Sequence, residues 1–350
     1  MMHVDYLIVG DGYAGVFFAH QLIKNKKSFR LFSAGKRAAS HISAGACNPV
    51  ILSRFNKIWK HQELMNYLPI AFSEVSEYLG KNYLLDQPVV RVFHDEAERN
   101  TWLEKAHSDK LSHEISDKVL ELHHVNNPYG GGKVIQSSRV DVLGFFKAFH
   151  QYLEEQGVMI KESFNYQLLD AQQKTYGEIS FDKIVFAEGV KVKDNPYFGT
   201  APVVPNKGHR LSISIDEILD PYIISKKHFL VKMSEEDVYY GGTNDKLGDG
   251  TEQVEQKSVD DLVGNLEDLY PHHYRVNQVL VAQRATVPDR RPIIGRHNSL
   301  HDFYIFNGLG ARGALNGSFF SKMLYDFIEN NGMIFPEADV QRFYLSNKML

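Results

Sequence analysis

The stretch Tyr6-Leu7-Ile8-Val9-Gly10-Asp11-Gly12-Tyr13-Ala14-Gly15 passes from four apolar residues directly into a turn with glycines at three set positions. A short apolar run that ends on glycine reads as a buried strand, and Val16-Phe17-Phe18-Ala19 beyond it reads as a helix. In that order the three pieces form a dinucleotide-binding fingerprint. Gly10 permits the tight turn, Gly12 lets the backbone approach a pyrophosphate, and Gly15 lets helix and strand pack closely. The helix start, with Tyr13 and Ala14, offers free N–H groups and a positive dipole end to phosphate.

That helix reads as far as Lys24, and Phe29-Arg30-Leu31-Phe32 reads as a second strand. Nucleotide sites of this type place an Asp or Glu at the tip of the second strand to bond the ribose hydroxyls. Here the tip is Ser33, followed by Ala34-Gly35-Lys36-Arg37. Three readings stay open: a neutral ribose contact, a second phosphate met by Lys36 and Arg37, or two solvated loop charges.

The length of 350 residues suits two domains or one elaborate one. A net charge of -4 argues against a broad electrostatic footprint for nucleic acid, while leaving a local basic patch open. Cys47 is the sole cysteine, so neither an intrachain disulfide nor a cysteine metal cage can form. No stretch is long and apolar enough for a membrane span, and the first apolar run lacks the basic leader and cleavage site of a signal peptide. A cytoplasmic protein without a membrane partner is expected.

Further along, Ser40 to Pro49 is rich in small residues, which lets backbone come close to a flat group. Glu63 to Leu79 and Val140 to Gln156 have helical apolar spacing, the second closing on Gly157. Val89 to Phe93 reads as a strand, Glu96 to Lys105 as a charged helix, and Gly130-Gly131-Gly132 as a closing loop. Lys183-Ile184-Val185-Phe186 runs into the turn Ala187-Glu188-Gly189. From Lys207 to Gln283, strand-like runs alternate with loops and one polar helix near Ser258 to Leu269, the pattern of an antiparallel sheet. Phe303 to Asn307 is again a strand before a glycine turn, with a helix over Ser318 to Asn330.

Taken together, these motifs resemble the D-amino-acid-oxidase-like superfamily of FAD-dependent amine oxidoreductases, which includes glycine oxidase and sarcosine oxidase. The resemblance covers almost the whole chain and keeps the family's order. It implies an α/β protein, with a Rossmann-like FAD-binding domain over 1–85, 137–206 and 284–350 interleaved with an antiparallel-sheet α+β substrate domain over 86–136 and 207–283. Ser43-Ala44-Gly45-Ala46 with Asn48-Pro49 looks like the segment beside the isoalloxazine ring. Ser138 to Asp141 looks like the element introducing the third sheet strand. Tyr166 sits where a backbone contact to adenine is usual, and Ala187 and Gly189 match the turn near the nucleotide. Pro205 to His209 is similar to the family's crossing into the substrate sheet. Arg284-Ala285-Thr286-Val287-Pro288-Asp289, continuing to Gly295, keeps the family spacing. Gly308, Gly310, Ala311, Gly313 and Ala314 match the loop and helix start facing the flavin pyrimidine edge.

On this resemblance the cofactor is FAD. It is held non-covalently, because no cysteine lies near the C-terminal motif. The reaction implied is hydride transfer to flavin from the carbon next to the nitrogen of an amino acid or secondary amine. Arg284 offers a guanidinium fork that matches a carboxylate; the plainer reading is a structural pair with Asp289. Arg312 either holds a substrate anion, compensates reduced flavin, or faces solvent. His41 either tunes the flavin or is satisfied by backbone. Tyr239-Tyr240 either line the substrate pocket or belong to the sheet core. The pairs His123-His124 and His272-His273 lack supporting ligands at a convincing spacing, so no metal is expected. The loop Leu309 to Leu315 also looks like that of an oxidase domain acting on a carboxymethylaminomethyl group of tRNA wobble uridine, which keeps tRNA open as a partner. A third reading is a flavin- or adenine-nucleotide-binding protein without turnover.

Overall fold

The computed structural model describes residues 2–245 and 251–344. In chain order its first elements are β1 (Met2–Val9), α1 (Tyr13–Lys24), β2 (Phe29–Phe32), α2 (His61–Leu79), β3 (Val89–Val92), α3 (Glu96–Ala106), β4 (Ile115–Leu120) and β5 (Gly131–Val134). There follow α4 (Val142–Glu155), β6 (Met159–Ile160), β7 (Ile179–Phe186), β8 (Val204–Ile215), β9 (Ile223–Ser225), β10 (Phe229–Lys232) and β11 (Val238–Gly241). The chain ends through α5 (Gln256–Leu269), β12 (Tyr274–Thr286), β13 (Ile293–Arg296), β14 (Phe303–Asn307) and α6 (Gly313–Glu329).

One sheet is built on the parallel order β6-β2-β1-β7-β14, with β13 antiparallel at its edge. The chain first steps outward from β1 to β2 and β6, then returns to add β7 on the other side of β1. The crevice where that order reverses lies at the carboxyl ends of β1 and β7, where α/β sheets take their ligands. Alternation along β1 supplies both cores. Tyr6 and Ile8 pack with Phe17, Phe72, Phe145 and Phe320 of the helices, while Leu7 and Val9 pack with Phe186, Phe198 and Ile305 on the opposite face.

The second sheet has 8 strands in the order β12-β8-β11-β10-β9-β3-β5-β4. Its neighbours are antiparallel except the parallel pair β9 and β3. One face, with Leu211, Leu230 and Tyr240, is covered by Leu262, Leu266 and Leu269 of α5. The other face, with Val231 and Tyr239, packs with Val50, Phe55 and Ala44 from the small-residue segment. That segment therefore lies between the two sheets.

Several elements differ from their sequence reading. Gly131 and Gly132 belong to β5 rather than a loop, because the strand passes beneath Trp102; a Cβ on Gly132 would lie 2.2 Å from the indole. The last helix begins at Gly313, not Ser318. Glycines lower helix propensity, but Gly313 and Gly317 rest on Tyr13, where a Cβ on Gly313 would come within 2.5 Å of the ring. The long strand β12 lies mostly within the region read as an antiparallel sheet but is not marked by its own pattern, since Tyr274 to Gln278 is mostly exposed and shows no clean alternation.

A Cβ on Gly15 would lie 1.9 Å from the Gly10 carbonyl oxygen. Replacing Gly15 by Ala improves helix propensity by about 1 kcal/mol, but the backbone clash outweighs it. Gly15→Ala is expected to destabilise the protein by about 2–3 kcal/mol in urea unfolding, against no loss if α1 can move away from β1.

Candidate active site

The turn after β1 explains each glycine by contact. Gly10 has φ +110°, and a Cβ there would lie 2.4 Å from the Ala187 carbonyl oxygen at the end of β7. Gly12 is the N-cap of α1 and has no side chain with which to cap that helix. The Tyr13 N–H donates to Ser40 Oγ (3.2 Å), which draws the segment after β2 up to the turn. Tyr13 is buried, and its hydroxyl is held above its ordinary range by burial and by Cys47, with Ser43 opposing. One side chain thus touches α1, the small-residue segment and, through Gly313, the start of α6.

At the tip of β2, buried Ser33 donates to Asp11 Oδ2 (2.6 Å) and accepts from the Gly35 N–H (3.2 Å). Lys36 and Arg37 are exposed. The Asp11 carbonyl accepts from His150 Nε2 (3.3 Å). His41 packs edge-on against Phe146 and His150, with ring centroids 4.5 Å and 5.6 Å away, so it stands over the glycine turn. Burial lowers its pKa. Asp11, His41 and His150 place ligand-type atoms within 4.8 Å of one another. A cation does not suit them in this arrangement. His41 Nδ1 accepts from the Ala38 N–H (3.0 Å), so neutral His41 carries its proton on Nε2, on the side of the Asp11 backbone.

The small-residue segment is pinned by backbone. Ala46–Cys47 pairs antiparallel with Ser138–Arg139, and Gly45 has φ +73° with a hypothetical Cβ 2.2 Å from the Val140 carbonyl oxygen. Asn48 Oδ1 accepts from the Val50 N–H (3.0 Å), and Ser43 Oγ donates to the Ser40 carbonyl (3.0 Å). Cys47 is buried, which pushes its thiol up to about 12 and leaves it unreactive. After β7, the Ala187 N–H donates to the Val9 carbonyl (2.8 Å), and Asn307 Nδ2 donates to the Gly189 carbonyl (2.9 Å). Tyr166 donates from its hydroxyl to Glu188, which also accepts from Asn195 Nδ2 (2.7 Å).

Arg284 lies on β12 opposite Asn206 of β8. Its Nη1 donates to Asn206 Oδ1 (2.9 Å) and to the Thr243 carbonyl (3.0 Å). The guanidinium rests on two glycines: a Cβ on Gly208 or Gly242 would lie 2.4 Å or 2.9 Å from Nη2. The structural pair with Asp289 is not made. Asp289 instead accepts from Arg342 Nε (3.1 Å) and from the Arg291 N–H (2.9 Å). Among the described residues no carboxylate lies within ion-pair distance of Arg284, and burial lowers its pKa. Tyr239 and Tyr240 divide the two readings given to them. Tyr240 joins the core under α5, while Tyr239 faces Arg284 and carries Arg210 over its ring at 5.1 Å. No local pattern singles out Arg210; its buried Nε and Nη1 lack hydrogen-bond partners, and Asp237 stands 3.6 Å from Nη1.

At the C-terminal turn Gly308 and Gly310 have φ +72° and +60°, and the Gly310 N–H donates to the Ala285 carbonyl (2.9 Å). Exposed Ala311 leads to Arg312, the N-cap of α6, which has no side-chain cap; buried Ala314 follows Gly313 in its first turn. Arg312 has no carboxylate partner among the described residues. Burial and the charges of Arg290 and Arg291 lower its pKa. The surface histidines pair with acids that sequence spacing could not reveal: His123 with Asp220, His124 with Glu217 and His273 with Asp216.

A switch-point crevice, a glycine turn with no room for a Cβ, and two helix starts side by side are the architecture of a dinucleotide-binding α/β sheet. The chain belongs to the FAD-dependent oxidoreductase family known as DAO, whose model matches residues 5–326. Its cofactor is accordingly FAD, and the close-packed glycine turn beside two helix starts fits that group. Solved structures share the fold: glycine oxidase from Geobacillus kaustophilus superposes with a TM-score of 0.80 at 17% identity, over 96% of this chain and 97% of that one. Iminodiacetate oxidase from Chelativorans sp. BNC1 gives 0.79 at 16%, over 95% and 97%. L-proline dehydrogenase from P. horikoshii gives 0.78 at 16%, over 99% of each chain. No helix among the described residues is long and apolar enough to cross a membrane.

Burial raises the Glu188 carboxyl from 4.5 to about 7. The folded state therefore holds this proton more tightly than the unfolded chain. Its contribution to stability is complete below pH 4.5 and is lost as pH rises through about 7. Wild-type protein is expected to lose more melting temperature than Glu188→Gln between pH 5 and pH 8; equal losses would assign the slope to other groups.

Proposed function

We propose that the protein is an FAD-dependent amine or amino-acid oxidoreductase that takes a carboxylate-bearing amine, with the FAD held non-covalently. One observation carries this reading: Arg284 is a partly buried guanidinium, seated on Gly208 and Gly242, with no carboxylate to neutralise it among the described residues. A buried cation left unpaired is costly, and an anionic ligand relieves that cost. Asn206 and the Thr243 carbonyl hold Nη1, so the fork is oriented before the ligand arrives.

FAD, when bound, would supply the acceptor for a hydride from the carbon next to the nitrogen. The chain's part is to place that carbon and to meet the charge that develops. Arg284 fixes the carboxylate, and Tyr239 supports the guanidinium from the sheet. The N–H groups at the start of α6, with Arg312, would offer positive charge to the negative charge that develops. The substrate, bound as a neutral amine, would lose its hydride to the flavin and its N–H proton to water, giving an imine. Water would then hydrolyse the imine to a carbonyl compound and an amine, and oxygen or another acceptor would take up the two electrons.

An anaerobic screen of amines against the flavin band near ~450 nm tests the reading directly. Carboxylate-bearing amines are expected to bleach it; a band that no amine bleaches would overturn the proposal. For a substrate found in this way, Arg284→Gln is expected to raise KM by roughly 10- to 1,000-fold, and an unchanged KM would demote Arg284 to a structural role. Acid precipitation is expected to release all the yellow colour into the supernatant, whereas colour retained in the pellet would show a covalent link.

A further inference from the structure

The second strand of the nucleotide sheet ends on Ser33, so the acid that ordinarily meets the adenosine ribose at that tip is missing. The structure supplies a carboxylate at the same place by another route. Asp11, the residue between Gly10 and Gly12, turns its side chain toward the tip of β2, where Ser33 Oγ donates to Oδ2 at 2.6 Å. The carboxylate therefore lies within one hydrogen bond of the expected position. It comes from the first turn of the fingerprint instead of the second strand.

Three features suit this carboxylate to a ligand. Its position is set from two sides, by Ser33 on Oδ2 and by His150 Nε2, which donates to the Asp11 carbonyl (3.3 Å) and stands 3.7 Å from Oδ2. Its Oδ1 receives no hydrogen bond from the described residues, and the side chain keeps 14% of its surface exposed. It also lies in the glycine turn itself, between Gly10 and Gly12, at the carboxyl end of β1. An ionised carboxylate accepts hydrogen bonds through two oxygens, which matches a vicinal diol with two O–H donors.

We propose that Asp11, positioned by Ser33 and His150, is the group that binds the adenosine ribose diol of the dinucleotide. The inference rests on the FAD dependence established above. It also selects among the three readings of Ser33. The hydroxyl anchors the true acceptor and is not itself the main ribose contact. A ribose carrying a 2′-phosphate is disfavoured, because that phosphate would meet the Asp11 carboxylate. Lys36 and Arg37 remain solvated loop charges.

The test is a binding titration of flavin-free protein with FAD and with its 2′-deoxyadenosine analogue, read by flavin fluorescence. Wild-type protein is expected to prefer FAD by ~10- to 100-fold, the size of hydrogen bonds to an ionised group. Asp11→Ala is expected to lose that preference while binding the deoxy analogue as wild type does. The double variant Asp11→Ala with Ser33→Glu, which moves the acid to the strand tip, is expected to regain it. Thermal melts check that each flavin-free variant is folded, and the isosteric Asp11→Asn, expected to reduce the preference, serves if the alanine variant is not. An Asp11→Ala protein with unchanged FAD affinity, or one that weakens both ligands equally, would overturn the proposal. Wild-type protein that binds neither ligand would instead overturn the flavin reading on which it rests.

Discussion

The close approach of β1, α1 and α6 is the constraint on which the rest depends. Gly15 lies under the Gly10 carbonyl, Gly10 lies against the Ala187 carbonyl, and Gly313 lies against the Tyr13 ring, each at a distance that leaves no room for a Cβ. Close packing of this kind brings two helix starts to one crevice. Neither N-cap residue caps its helix with a side chain, and at the start of α1 the Tyr13 N–H is taken by Ser40 Oγ of the neighbouring segment.

Charge is distributed along that crevice in a way the net charge of -4 conceals. Near the glycine turn the chain presents a carboxylate, Asp11, with two imidazoles beside it. Against the second sheet it presents guanidinium groups, Arg284 and Arg312, with no carboxylate of their own among the described residues. Hydroxyl donors suit the first and anionic groups suit the second. The two regions are joined by the Ser40–Asn48 segment, which bonds to the α1 start through Ser40 and packs on the second sheet through Ala44. A displacement of that segment would be felt at both ends.

Glycine serves two different ends here. At Gly10, Gly45, Gly308 and Gly310 the backbone has positive φ, which disfavours other residues. At Gly208 and Gly242 the φ is ordinary, and the missing side chain makes a seat for Arg284. The second use leaves no local pattern, because it depends on which residue lies on the neighbouring strand.

The chain's first 32 residues announced their own structure, since strand alternation, the three-glycine turn and helical spacing are all local and mutually consistent. The ordered motifs through Gly313 likewise carried the fold and the cofactor. What the sequence could not show was pairing across distance. Asp11 and Ser33 are adjacent only because β1 and β2 are parallel neighbours. Asp289 pairs with Arg342 and not Arg284 because β12 runs Arg284 across Asn206, on the face of the sheet turned toward the small-residue segment. Local sequence determined the elements and their glycine requirements by sterics. Strand order and register decided which charges were paired and which have no partner among the described residues, because a side chain's partner is set by its neighbour in space.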